Sequence, residues 1–296
     1  MNDSSSAWAT RLQLIRPPNL PTVPGDPLVG LLLSATGALS LWPQVAGPVG
    51  VALLLYMGGL VLNDWADKEE DSRDRPERPI PSGSVGRSAA LGLAVFLLAA
   101  GIGLAFAVSL RCAVVALILS TTIVFYDLVA KRVSVLGALA MGSCRGLSVL
   151  LGWSASGTVM PSRAVWLAVA VISAYIVAVT TIAAGETQGG PVGPRRWAMP
   201  FVVVAAVSVS QYIGASVTGL VVGFVVVFYA LLYSVQLGRE LPHHLVAAAV
   251  GGLIRGLILL QLLLCLSCGS AGTVFAITLL VLHVLAVALS RRFYGS

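Results

Sequence analysis

Apolar stretches of about twenty residues follow one another along almost the whole chain, separated by short polar segments. About 20 apolar residues in helical form cross a bilayer. Inside lipid the backbone must satisfy its own hydrogen bonds, which selects helices for runs of this kind. The pattern predicts ten spans, near 24–43, 46–66, 87–109, 111–129, 133–156, 163–184, 197–214, 216–236, 244–267 and 270–290. Pro and Gly interrupt the first two, and the seventh is short. The expected fold class is all-α: a multi-spanning transmembrane helical bundle of nine to ten spans. Residues 1–296 would form a single integral-membrane domain, because no large soluble domain fits between the spans.

Composition agrees. Hydrophobic residues make up 57% of the chain and charged residues 10%, and the mean hydropathy is +0.94. Soluble domains carry about a quarter charged residues. The N-terminal MNDSSSAWATRLQ shows no apolar core of a cleavable signal peptide. If the N-terminus is cytoplasmic, that side collects fourteen Lys and Arg and the opposite side only Arg111 and Arg163. Such asymmetry marks the cytoplasmic face. It supports an even number of spans, with both termini and the long polar loops on that face of the cell inner membrane. The net charge of +6 therefore reports topology, and no nucleic acid is expected as a partner. Cys112, Cys144, Cys265 and Cys268 lie in or at the ends of apolar runs and read as packing residues.

The polar exceptions carry the chemistry. NDWADKEEDSRDRPERPIPSG, at 63–83, holds seven of the twelve acidic residues. On a helix, Asn63, Asp64, Asp67 and Asp71 share one face within about two turns. Crowded carboxylates suit a hard divalent cation with oxygen ligands, which also bridges to phosphate; the plainer alternative is a solvated helix end. Arg145 in MGSCRGLSVLLG and Arg255 in VGGLIRGLILLQ each fall about twelve residues into a span, roughly 18 Å deep at 1.5 Å per residue. An intramembrane arginine normally faces a partner or a wet cavity. The pattern offers neither one an Asp or Glu clearly inside an apolar span. Partners are expected among carbonyls, hydroxyls, amides such as Gln261, carboxylates at the cytoplasmic rim, or an anionic ligand.

Three further segments lie on the same face: Arg16-Pro17-Pro18-Asn19; Tyr126, Asp127, Lys131 and Arg132; and Gly185–Gly190 with Glu186, followed by Arg195 and Arg196. Singly they are ordinary topology markers. Together they would ring an acidic cluster with cations, an arrangement for a metal-bound diphosphate. His243, His244 and His283 read as loop or satisfied polar residues, and Tyr229 with Tyr233 as aromatic packing. No GxGxxG, Walker or nucleophile-elbow motif is present, which excludes the nucleotide and serine-hydrolase readings.

NDWADKEED resembles the NDxxDxxxD motif of the UbiA superfamily of intramembrane prenyltransferases. RPERPIPSG, the RPPN before the first span and YDLVAKR after the fourth are similar to that family's other motifs, and MGSCRGLSVLLG resembles its EboC-like branch. The resemblance implies a helical bundle around a central cavity, with cytoplasmic caps near 67–86, 126–133 and 185–196. It implies Mg²⁺ as cofactor, an isoprenyl diphosphate as donor, a polar, aromatic or anionic small-molecule acceptor, and surrounding membrane lipid. Asn63, Asp64, Asp67, Asp71 and Glu186 would hold metal. Asp67, Asp71, Lys131 and Arg145 would be catalytic, and Arg16, Asn19, Tyr126, Arg132 and Arg255 would bind diphosphate or acceptor. The second motif departs from the family pattern, with Glu186 as its single carboxylate. A catalytically degenerate protein that binds or transports a hydrophobic or lipid-linked metabolite is the alternative.

Overall fold

A computed structural model describes residues 12–37, 39–184, 192–239 and 242–293. Among them the chain is helical throughout, in the order α1 Gly25–Leu32, α2 Ala46–Ala66, α3 Lys68–Asp74, α4 Arg87–Val108, α5 Leu110–Leu128, α6 Ser134–Ser154, α7 Arg163–Ala184, α8 Ala198–Ile213, α9 Val217–Gln236, α10 His243–Leu266 and α11 Gly269–Phe293. Nine helices among the described residues are long and apolar enough to cross a membrane. Their bounds follow the apolar runs closely because each run ends at polar or backbone-breaking residues. Ser109 caps α5 by accepting from the Cys112 N–H, and Ser216 caps α9 from Gly219. Gly214, at φ +117°, ends α8 in the left-handed conformation that glycine tolerates.

The expected first span takes another form. Prolines at 17, 18, 21 and 24 each remove a backbone donor and restrict the preceding residue, which keeps the chain before residue 25 out of a regular helix, and the helix that follows stops at Leu32. The chain makes short turns at Gln13–Ile15 and Leu20–Thr22, then the eight-residue α1. It nevertheless traverses the bundle. Arg16 meets Asp64 at the C-terminal end of α2, the Thr22 carbonyl meets Arg145 within α6, and α2 then starts at the opposite end, where Gly47 faces Val108. The traverse is broken but complete.

Close packing holds it there. A Cβ on Gly152 would lie 1.8 Å from the Pro27 carbonyl oxygen, and one on Gly30 1.9 Å from that of Val149. Only glycine lets α1 and α6 approach so nearly, the small-residue packing expected between helices in lipid. Helix α10 is central: 72% of its apolar window is buried, against 22% for α11. Leu253, Leu257 and Ile258 of α10 pack in one core with Ile172 and Tyr175 of α7. Large side chains such as Phe96, Phe201 and Phe228 project outward, exposed from 62 to 76%, as a lipid-facing surface requires.

Candidate active site

The acidic cluster forms where α2 gives way to α3. Asp67 is the joint, with φ −89° and ψ 6°. The i to i−4 pattern survives it, since the Asp67 N–H donates to Asn63 O at 2.9 Å and the Asp71 N–H to Asp67 O at 2.8 Å. The four side chains therefore stay near one face, and Asp64 and Asp71 are buried.

Each carboxylate meets a cation. Arg16 donates to Asp64 at 2.8 Å. Arg78 donates to Asp71 at 2.7 Å and lies 3.7 Å from Asp64. The Lys131 ammonium is 2.5 Å from Asp67 and donates to Asn63 Oδ1 at 3.2 Å, while the Asn63 amide donates to Asp67 at 3.0 Å. Arg16 reaches its place through a left-handed backbone, φ 45°, the only such non-glycine among the described residues. That conformation is costly for a side chain with a Cβ, and such strain concentrates at functional positions.

Beneath this rim lies a cavity of about 180 Å³. Its walls are apolar, with Val23, Ala52, Leu60, Leu119 and Ile123. Arg16, Asn63, Tyr126 and Asp127 line the mouth, and Arg145 and Ser148 line the interior farther along α6. Asp127 is buried and its Oδ2 has no hydrogen-bond partner. Sequence alone does not place it beside Asn63. The structure puts both on one cavity.

The expectation that Arg145 lacks an acidic partner is overturned. Asp26, fully buried in α1, stands 2.8 Å from Arg145 Nε. Arg145 also donates to the Thr22 carbonyl at 2.6 Å. Gln261 of α10 donates to Asp26 Oδ1 at 2.6 Å and to the same Thr22 carbonyl at 3.0 Å. The proline-broken backbone leaves that carbonyl without a helical donor, and two side chains supply its hydrogen bonds. Gln261 was an expected partner; Asp26 was hidden by the apolar average of its segment.

Other expected site residues stand apart. Arg255 lies on α10 outside the cavity lining, its guanidinium turned back toward Gly251, and its backbone carbonyl meets His283. Arg132 is exposed. Asn19 contributes its carbonyl, which accepts from Thr22. Glu186 and Gln188 lie outside the described residues. Arg78 was missed as a site residue, although RPERPIPSG carries it.

Asn63 and the three aspartates offer oxygen donors of the kind a hard divalent ion takes, so the donor set fits Mg²⁺ in chemistry. Among the described residues no three His, Cys, Asp or Glu side chains converge closely enough to share a metal; the cations neutralise the carboxylates here.

The chain matches the UbiA prenyltransferase family over residues 27–188. It is similar to the digeranylgeranylglyceryl phosphate synthase of Methanothrix thermoacetophila, at 34% identity over 48% of this chain and 53% of the relative. The aligned part thus spans about half the length of that relative. Two solved structures share the fold. The apo UbiA homolog from Aeropyrum pernix K1 aligns with a TM-score of 0.66 at 21% identity, covering 82% of this chain and 94% of that one. The UbiA homolog from Archaeoglobus fulgidus bound to GPP and Mg²⁺ aligns with a TM-score of 0.61 at 15% identity, covering 97% and 100%.

Proposed function

Because the chain belongs to the UbiA prenyltransferase family, we propose that it is a Mg²⁺-dependent intramembrane prenyltransferase. It moves an isoprenyl group from an isoprenyl diphosphate to a polar or aromatic acceptor. One observation carries the reading: a largely apolar cavity has Arg16 and Asn63 in its lining, and these two belong to the cluster in which Arg16, Arg78 and Lys131 pair with Asp64, Asp71 and Asp67. An isoprenyl chain suits the walls and a diphosphate suits the rim.

Asn63, Asp64, Asp67 and Asp71, with Glu186 from the second motif, would hold Mg²⁺. The ion supplies charge neutralisation at the departing diphosphate. Lys131 and Arg16 hold diphosphate oxygens and stabilise the charge that develops on them, and Tyr126 borders the donor head. The apolar walls exclude water while the C1–oxygen bond breaks. We assign the finer grouping to the EboC-like branch on MGSCRGLSVLLG. The whole of 1–296 acts as one membrane domain. Both termini and the rim face the cytoplasm, in keeping with the Lys and Arg asymmetry and a first traverse that makes the count even. The relatives' name makes geranylgeranyl diphosphate the first donor to try.

The test is diphosphate release from protein in nanodiscs, given that donor and a membrane metabolite extract, with and without Mg²⁺. Wild type releases diphosphate only with Mg²⁺, and Asp67→Ala does not. A second reading, a retired site that binds or carries a hydrophobic metabolite, is favoured by the cation pairing of each rim carboxylate and the single Glu186. It predicts ligand binding without Mg²⁺ dependence and without diphosphate release.

A further inference from the structure

Three polar groups on the cavity wall, Asp127 at the mouth and Arg145 and Ser148 farther in, take no part in the ion pairs of the rim. Asp127 is 3% exposed and its Oδ2 has no hydrogen-bond partner. Ser148, 5% exposed, has an unpartnered hydroxyl. Arg145 completes the set, and its charge is already matched by Asp26 at 2.8 Å. All three line one cavity, together with Arg16, Asn63 and Tyr126 at its mouth and mostly apolar side chains elsewhere.

Their charges decide what fits. An arginine free of carboxylates would attract an anion. Here a fully buried carboxylate occupies that role, and Gln261 fixes the carboxylate in turn. The other cation on the cavity, Arg16, is engaged by Asp64. Asp127 makes no salt bridge among the described residues, and the two cations that act on it, Lys131 and Arg16, are held by Asp67 and Asp64, so an anionic acceptor entering would face its carboxylate in a medium that screens charge poorly. A hydroxyl group meets the opposite situation. It donates to an oxygen that lacks a donor, and burial makes that bond worth forming.

We propose that the cavity's Asp127–Arg145–Ser148 surface is the acceptor subsite, that it selects a neutral hydroxyl-bearing acceptor, and that Asp127 is the catalytic group that receives the acceptor's proton. The proposal rests on the prenyl-transfer reading above and names its substrate class. In the step, the acceptor oxygen forms a bond to C1 of the isoprenyl chain. The bond from C1 to the diphosphate oxygen breaks, and its electron pair leaves with the diphosphate. The acceptor's O–H bond breaks, and the proton passes to Asp127 Oδ2. Arg145 and Ser148 hold other oxygens of the acceptor. The relative named a digeranylgeranylglyceryl phosphate synthase carries a phosphate in its product's name, so the proposal sets this chain apart in acceptor charge.

The experiment uses the full chain in nanodiscs with a matched pair of probes, 1-O-butylglycerol and its 3-phosphate. Binding of each is measured by equilibrium dialysis, and transfer is measured with geranylgeranyl diphosphate and Mg²⁺. The neutral probe is expected to bind at least tenfold tighter than the phosphate. Asp127→Asn should lower transfer to the neutral probe by about 10²-fold or more, the usual worth of a positioned proton acceptor. Asp127→Glu, which keeps a carboxylate, should recover part of the rate, and both variants should retain wild-type helicity and monodispersity. Equal or tighter binding of the phosphate overturns the neutral subsite, as does failure of both probes to bind. Transfer that survives Asp127→Asn, or that Asp127→Glu does not rescue, overturns the proton role. If the neutral probe binds selectively but no diphosphate is released by wild type, the transfer reading and the proton role both fall while the neutral subsite stands.

Discussion

At the scale of single residues, Asp26 and Arg145 form the most deeply buried ion pair among the described residues. Both side chains are buried, at 0% and 8% exposure. Removing one partner of such a pair leaves an uncompensated charge, which costs about 3–5 kcal/mol, whereas replacing both by apolar residues is often neutral. Asp26→Ala is therefore expected to lower the denaturation midpoint in detergent sharply, and Asp26→Leu with Arg145→Met to recover most of the loss. Lys131 belongs to a different group, the rim that meets the diphosphate. Lys131→Ala should reduce the initial rate of diphosphate release by roughly 10²–10³-fold, as for a lost donor to developing charge, with little change in the denaturation midpoint. The acidic part of the rim was legible in sequence because NDWADKEED keeps Asn63, Asp64, Asp67 and Asp71 within about two helical turns. The Arg145 network was not. Its members stand at 22, 26, 145 and 261, and no local pattern joins positions so far apart.

At the scale of elements, the nine long helices fall almost where the apolar runs end, because a helix in lipid can stop only where its open carbonyls find water or a cap. The α2 prediction of 46–66 agrees with Ala46–Ala66, and that of 163–184 with Arg163–Ala184. The segment near 24–43 departs from this rule, since its helix ends at Leu32 while the apolar average runs on. Its anchoring to α6 can be tested directly. Gly152→Ala places a methyl group against the Pro27 carbonyl, and overpacking of this kind costs about 1–3 kcal/mol. Thermal unfolding in detergent should show that loss, with Gly92→Ala, whose Cβ would meet nothing within 4 Å, as the neutral control.

For the molecule as a whole, the charge asymmetry and the nine long helices among the described residues, taken with the broken first segment, make one claim about sidedness. In a background with the four native cysteines replaced, Ser72→Cys in α3 and Val159→Cys in the α6–α7 loop report opposite faces; both positions are exposed. A membrane-impermeant maleimide should label the cysteine at 159 on intact cells, and the one at 72 only after permeabilisation. The reverse pattern would invert the orientation. The broken first traverse also has a bearing on how the protein is made. Asp26 leaves the ribosome 119 residues before Arg145, which at about 5–20 residues per second is roughly 6–24 s. During that interval its carboxylate lacks the guanidinium it pairs with in the folded bundle, so the first segment is expected to settle into the bilayer only after α6 arrives. Nascent chains arrested before residue 134 should leave a cysteine placed at Leu28, beside the intact Asp26, open to aqueous labelling, and chains extended well past α6 should close it. Insertion is then expected to be a late event for the earliest segment, its timing set by a helix four traverses downstream.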